Sequence, residues 1–366
     1  MSVKVSVITA VHNRLHFLRR ALDSVFAQEA QGDLFDLETI VVDDASDDVS
    51  EDEIRRVIGA SPVRYIRRAV NGGLSAARNI GIRASSGDYV AFLDDDDEFL
   101  PQKLRTQIPV LINEPEIAMV YGPCVARAPD GTEEVWTGGP SGAIFRDLLL
   151  RGNFMQVGTV LLRRKVLEEH SGFGEAMRAS EDYDLWLRIA YHSKIAYVEK
   201  PVSIFSHSAG KFIRDLEDGT VLRSHLEIAD NIASYAPKEA DFARQRLELV
   251  WMWNVRWTLS RNRALRAVQE ALRAYPSLAR NAPLVKLLSI LIRENALGDV
   301  SPISFTASVC ESIPPRLHGA IWRGLCLSFL KRREGGLALR AARRALSAWA
   351  SWGPPTGANS GISSRR

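Results

Sequence analysis

Residues 89–101, YVAFLDDDDEFLP, place four aspartates, Asp94 to Asp97, at the end of an apolar, strand-like run. Like charges this close repel, and burying them costs free energy unless a cation stands among them. Carboxylates one residue apart at a strand end can face the same side. Oxygen ligands of this kind suit Mg2+ or Mn2+, which share them with substrate phosphates. The competing reading is the acidic first turn of a helix beginning in DDEFLPQKL and stabilised by the helix dipole. That reading accounts for Asp97 and Glu98, but not for acids that begin directly after AFL.

Other clusters could do chemistry. ASEDYDLWLR puts Glu181 and Asp182 at a helix start, with Asp184 close behind. A pocket acid held near other acids has a raised pKa, which suits a general base; capping is the plainer alternative. VVDDAS ends an apolar strand in Asp43 and Asp44, which could accept from a base N–H or a ribose hydroxyl, or cap the next segment. NGGLSAARN offers Gly72 and Gly73 for close backbone approach and Arg78 for phosphate. No G-x-G-x-x-G follows the first strand, so the dinucleotide fingerprint is absent. His207 could contact metal or phosphate, or be hydrogen-bonded structure.

The elements that must position these residues follow from hydrophobic periodicity. VKVSVITAV (3–11) reads as a strand buried on both faces, and Asn13 precedes a helix with Leu15, Leu18, Leu22 and Val25 on one side. LETIVVDDAS is a second strand, EDEIRRVIG a helix, VRYIRR a short strand, NGGLSAARNIGIRAS a helix and GDYVAFLDDDD the next strand. This alternation predicts a mostly parallel sheet flanked by helices, with ligands beyond the carboxyl ends of the strands. Thr9 to Asn13, Asp43–Asp44 and Asp94 to Asp97 all fall there. MQVGTVLLRR (155–164) reads as a strand. SEDYDLWLRIAYHS reads as a helix with Leu185, Ile189 and His192 on one side. After about 211 the pattern is helical.

The chain has 366 residues, 46% hydrophobic and 25% charged, with a formal net charge of +3. The charge is uneven: residues 251–366 hold 18 Lys+Arg against 5 Asp+Glu, and the first 250 hold 29 against 39. The basic part suits an anionic surface such as lipid headgroups, or a solvated helical face. Cys124, Cys310 and Cys326 are too few and too scattered for a disulfide framework or zinc cluster, which fits a reducing cytosol. The amino terminus runs straight into a strand pattern without a signal-peptide layout. No apolar run approaches the ~20 residues that span a bilayer. LVKLLSILI (284–292) is short and carries Lys286.

Taken together, VSVITAVHNR, IVVDDASDD, NGGLSAARNIGIRASSGDYVAFLDDDDEFLP, GTVLLRRKVLEEHSGFGEAMRASEDYDLWLRIA and PVSIFSHS stand in the order of the family 2 glycosyltransferases, which residues 1–210 resemble. The resemblance implies an inverting, nucleotide-sugar-dependent enzyme of the GT-A (Rossmann-like) α/β fold, of the bacterial cell-surface polysaccharide type. It implies that Thr9, Ala10, His12 and Asn13 line the base pocket, with Ala10 and His12 at the family's Pro and Tyr positions. It implies that Asp43 recognises the base, with Asp44 nearby, and that Gly73 and Arg78 line the nucleotide site. Asp94 and Asp96 match the D-x-D pair. By the resemblance Asp96 is expected to be the direct Mn2+ or Mg2+ ligand and Asp94 to lie nearer ribose and sugar; Asp95 is expected either in the nucleotide site or turned away from the pair. Asp182 matches the catalytic base, and His207 matches a further metal- or phosphate-contacting residue of some members. Glu181 and Trp186 shape the acceptor side, with a core role for Trp186 as the alternative.

The expected partners are a nucleoside diphosphate sugar, a UDP-sugar foremost, and a glycan or lipid-linked acceptor. Membrane-surface contact through the basic helices and a homodimer are compatible with the sequence; no nucleic-acid partner is expected. The expected location is the cytoplasm, at the inner face of the membrane. The organisation expected is a GT-A catalytic domain over 1–210, an all-α region over 211–350 and a disordered tail over 351–366. Two alternatives remain: a haloacid-dehalogenase-like phosphatase, because LDDDDE contains strand-D-x-D, and a non-catalytic sugar-nucleotide-binding protein.

Overall fold

A computed structural model describes residues 2–206 and 209–275 together with Leu278. His207 lies outside the described residues, as do Cys310, Cys326, residues 284–292 and the 351–366 tail. The first elements are β1 (Val3–Val11), α1 (Leu15–Phe26), β2 (Phe35–Asp43), α2 (Glu51–Ile58), β3 (Val63–Arg67), α3 (Leu74–Ala84) and β4 (Tyr89–Phe92). This is the alternation expected from periodicity. Leu18, Leu22 and Val25 form the buried face of α1. Ser50 caps α2 through a reciprocal bond with Glu53, which satisfies two otherwise orphaned amides.

The chain continues through β5 (Glu98–Phe99), α4 (Lys103–Asn113), β6 (Ile117–Tyr121), β7 (Cys124–Arg127), β8 (Glu133–Trp136) and α5 (Phe145–Arg151). Next come β9 (Leu161–Arg163), α6 (Arg164–Glu169), α7 (Glu181–His192), β10 (Lys194–Tyr197) and β11 (Ser203–Ser206). Four helices follow among the described residues: α8 (Ala209–Glu217), α9 (Thr220–Tyr235), α10 (Ala240–Thr258) and α11 (Arg261–Ala274).

The main sheet runs β10-β6-β9-β4-β1-β2-β3. β3, β2, β1 and β4 are mutually parallel, and β9 inserts antiparallel between β4 and β6. β1 is central because it is apolar on both faces; Val5, Val7, Ile8 and Val11 are all buried. Gly81 lets α3 lie close on β1: a Cβ there would stand 2.3 Å from Ile8 Cγ2. A second, four-stranded sheet runs β5-β11-β7-β8.

Two sequence expectations are corrected here. The 155–164 stretch is strand only over Leu161–Arg163, because residues 157–159 form a 3-10 turn. Buried Lys103 and Gln107 grip that turn, donating to the carbonyls of Val160 (3.1 Å) and Thr159 (2.8 Å). Asp97 does not open a helix. Residues 98–99 pair with β11, and the next helix waits until Lys103.

By contact density the chain divides into two units. One holds residues 1–211 and 224–247, the other 212–223 and 248–366. The expected boundary near 210 is therefore crossed again: Ile228, Ile232, Ala236, Ala243 and Leu247 join the apolar core that holds Trp186 and Phe92. Within the second unit, Ala264, Val268, Ala271 and Leu272 give α11 one buried face, and Arg263 donates to Glu217 (Nη2–Oε2 2.5 Å). No helix among the described residues is long and apolar enough to cross a membrane.

Candidate active site

The carboxyl ends of β1, β2 and β4 lie side by side in register, with Val11 opposite Asp43 and Ile8 opposite Phe92. Each ends in polar residues, but they are used differently. On β2, Asp43 is fully buried and its carboxylate is saturated. Oδ1 accepts from Ser46 N (2.9 Å) and Oγ (2.6 Å); Oδ2 accepts from the Tyr65 hydroxyl (2.8 Å) and Arg67 Nη1 (2.9 Å). Four donors leave no room for a base, so the base-recognition role expected of Asp43 is corrected to a structural one. Asp44 accepts from Gly72 N (3.1 Å), Gly73 N (2.8 Å) and Arg68, and so anchors the start of α3. Gly73 takes φ 88°, a left-handed conformation that glycine adopts without strain.

Thr9 and Ala10 are both buried in β1, and the Thr9 hydroxyl has no hydrogen-bond partner. His12 is exposed and lies by the side chains of Asn13 and Asn71, at 3.3–3.4 Å. Asn13 has φ 58°, a left-handed turn that asparagine tolerates. Its side-chain oxygen accepts from Asp47 N and Asp48 N, both at 3.0 Å, which pins the loop after β2.

After β4, the aspartates divide among cations from distant elements. Asp94 is the most open, its side chain 31% exposed, and it accepts from Arg78 Nη2 at 2.6 Å. Asp95 and Asp96 share Arg14, with Asp95 Oδ1 3.4 Å from Nη1 and Asp96 paired to Nη2. The option that Asp95 turns away from its neighbours is thus corrected. Its burial, only partly offset by Arg14, pushes its carboxyl up to about 8. Asp97 accepts from Ser206 N at 2.8 Å, and burial followed by repulsion from Asp94 raises its pKa.

Arg78 is a correction of a different kind. Expected to meet phosphate, it is almost fully buried and spans two carboxylates: Asp94, and Glu181 at 2.9 Å from Nη1. It ties the end of β4 to the start of α7. Asp182 is next in sequence. Asn153 Nδ2 donates to its Oδ2 at 2.9 Å and Tyr183 N to its Oδ1 at 2.7 Å. Burial first, then repulsion from Glu181, lifts its pKa to about 7 against the pull of Arg78. A carboxylate poised near neutrality and held by an amide is equipped to take a proton. Trp186 is fully buried, its Nε1 donating to Met155 O at 3.3 Å, so its acceptor-side reading gives way to a core role. His192, expected on one side of α7 with Leu185 and Ile189, is exposed, whereas those two are buried.

Among the described residues no group of three or more His, Cys, Asp and Glu is gathered to hold a metal. The donor set of Asp94 and Asp96 still fits Mg2+ or Mn2+. Such ions take one or two carboxylates and fill their remaining positions with water and phosphate oxygens. Arg14, Arg20 and Asn153 were not singled out from the sequence. Arg14 sits in the quoted AVHNR, and a cation beside a polar turn was the available signal. Asn153 lies in RGNF, where nothing local marks it.

Comparison with known proteins agrees with this architecture. Residues 6–171 match the family described as Glycosyl transferase family 2. An uncharacterized glycosyltransferase of Haemophilus influenzae is 30% identical over 190 residues, covering 50% of this chain and 61% of that protein. The chain spans about a third to three-fifths of the length of the first curated relatives it matches. Among solved structures, S. aureus TarS 1-349 in complex with UDP-GlcNAc is 16% identical, with 95% of this chain and 91% of that chain covered at a TM-score of 0.50. The mannosyltransferase PcManGT from Pyrobaculum calidifontis, in complex with GDP-Man and Mn2+, is 17% identical, with 96% and 88% covered at a TM-score of 0.53. The fold is GT-A-like, a mixed α/β sheet flanked by helices with a helical C-terminal region. Nothing in the match over 6–171 favours a phosphatase, and the D-x-D pair follows β4 rather than the first strand of the chain.

Proposed function

We propose that this chain is an inverting glycosyltransferase that moves a sugar from a nucleoside diphosphate sugar to an acceptor hydroxyl. The observation that carries this reading is the buried Arg78 bridge. One guanidinium joins Asp94, at the strand end, to Glu181, beside an Asp182 poised near pH 7. A donor-side acid and a base are thereby fixed in one frame.

Asp182 takes the proton of the acceptor hydroxyl. The oxygen forms the new bond to the anomeric carbon as the carbon–phosphate oxygen bond breaks on the opposite face, and the nucleoside diphosphate departs with that electron pair. Asn153 holds Asp182 at its Oδ2, and the Tyr183 amide orients the other oxygen. A divalent cation, Mn2+ or Mg2+, held by Asp94 and Asp96 would offset charge on the leaving diphosphate. Asp44, whose Oδ2 has a single amide partner, takes over the base-facing role first expected of Asp43. Exposed His12 offers a ring for stacking on the base.

A UDP-sugar is the donor we favour; the two fold relatives named above are seen with UDP-GlcNAc and GDP-Man. The surplus of 18 basic over 5 acidic residues in 251–366 supports a lipid-linked or glycan acceptor met at the inner membrane face, in cell-surface polysaccharide assembly. Self-association as a homodimer belongs to the same reading. The test is a panel of UDP- and GDP-sugars with Mn2+, scored by thermal shift and by release of nucleoside diphosphate. One donor should raise the melting temperature and be hydrolysed slowly without acceptor. Binding without any turnover would favour a non-catalytic sugar-nucleotide protein, and no binding by any donor would sink the proposal.

A further inference from the structure

Among the described residues, three arginines touch the Asp94–Asp97 turn, and they differ in how firmly they are held. Arg78 is buried and shared between two acids on separate elements. Arg20 donates to the Asp96 carbonyl (2.8 Å) and pairs with Glu98 (3.1 Å), so it grips the backbone and a neighbouring side chain. Arg14 meets the carboxylates themselves, Asp95 and Asp96, with a side chain 41% exposed. The residue before it is fixed: Asn13 N donates to Ser46 Oγ at 3.0 Å, and the Asn13 side chain pins residues 47 and 48. The guanidinium beyond it rests on Phe17, 5.5 Å from the ring centroid, with solvent on its open side. A fixed root, a half-exposed head and a partner, Asp96, that is also a proposed metal ligand describe a cation that can be exchanged.

We propose that Arg14 stands in for the divalent ion: it lies beside Asp95 and covers Asp96 in the unliganded protein, yields Asp96 to the metal, and then pairs with the diphosphate of the donor. The inference rests on the proposed function, which makes Asp96 a metal ligand. A metal ion and a guanidinium on one carboxylate repel each other strongly where solvent screening is weak. The displaced guanidinium needs a new anion, and its planar fork of donors matches phosphate oxygens. Metal alone must compete with Arg14, whereas metal arriving with a diphosphate offers Arg14 a replacement partner. Metal and nucleotide binding are thereby coupled through one side chain.

The experiment measures Mn2+ alone by electron paramagnetic resonance, then UDP at saturating Mn2+ by calorimetry, for wild type, Arg14→Gln and Arg14→Lys, with circular dichroism confirming folding. Arg14→Gln should bind Mn2+ alone about tenfold tighter and UDP with Mn2+ about tenfold more weakly, as expected from losing one charge-assisted contact in each state. Arg14→Lys should keep the weak binding of Mn2+ alone, because the positive charge remains. Effects of opposite sign on the two ligands are not produced by a merely structural side chain. Unchanged or weaker Mn2+ binding in Arg14→Gln, or unchanged UDP binding, overturns the proposal while leaving the metal site intact. If wild type and Arg14→Gln both take up no Mn2+ even with UDP, the metal reading of Asp96 fails and this inference fails with it.

Discussion

The ends of β2 and β4 carry similar sequences, apolar run then aspartates, and opposite chemistry. Asp43 is saturated by one nearby serine and two side chains of the adjacent β3, Tyr65 and Arg67. The β4 aspartates are balanced by cations from afar: Arg14 before α1 and Arg78 on α3. A carboxylate whose lone pairs are all filled by its own sheet is architecture. A carboxylate held by a movable charge has capacity left for a ligand. The acidic strand end is therefore diagnostic only once its donors are known.

This contrast can be broken by substitutions that separate stability from chemistry. The largest effect is expected for Asp182→Asn. Removing a general base costs roughly 100- to 10,000-fold in rate. The amide should keep the partly buried site folded, so donor binding by thermal shift should match wild type. Near-wild-type turnover would remove Asp182 from the mechanism. Arg78→Met comes next. It strips a buried cation from two acids and should cost about 3–5 kcal/mol of unfolding free energy, read by urea denaturation. A smaller loss would mean that Asp94 and Glu181 relax apart, and the two halves of the site would then be less rigidly joined than the bridge implies. Asp43→Asn should cost about 1–3 kcal/mol, because a neutral amide cannot serve four donors, while UDP binding with Mn2+ persists in whatever fraction folds. Lost nucleotide binding with unaltered stability would return the base-recognition role to Asp43.

The alternation of the first 92 residues was legible because each element is amphipathic or apolar at its own period, and Ser50 with Glu53 marks a helix start in four residues. Asp94 and Asp96 could be chosen because acids directly after an apolar strand call for a reason, whereas Asp182, at a helix start where acids are ordinary, stood out only through the family resemblance. The occupancy of Asp43 was not legible. Its decisive donors, Tyr65 and Arg67, stand 22 and 24 residues away and meet it only through the β2–β3 register. Arg78 was misread for a related reason: burial turns a phosphate-binding residue type into a bridge. Asp97 looked like a helix start because pairing of residues 98–99 with β11, a hundred residues later, leaves no local trace. The return of residues 224–247 to the first unit rests on Ile228, Ile232 and Leu247, whose spacing suits any helical core.

The pH dependence of the site is the sharpest test of the base assignment. Asp182 has a folded pKa of about 7 against 3.8 for a free carboxyl, raised by burial and then by Glu181. Between about pH 4 and 7 the folded protein therefore still holds a proton that the unfolded chain has released. Stability from this group is complete below pH 4 and is lost as pH climbs through 7. Asp182→Asn, which cannot ionise, escapes that loss, so its melting temperature should gain on wild type from about pH 4 to pH 7 and level off above that. The transfer rate of wild type should rise over the same window, as Asp182 sheds its proton and becomes able to accept one. A gain in stability without the matching acid limb in rate would show a buried carboxylate that titrates but takes no part in transfer. The site would then resemble the β2 end more than the β4 end.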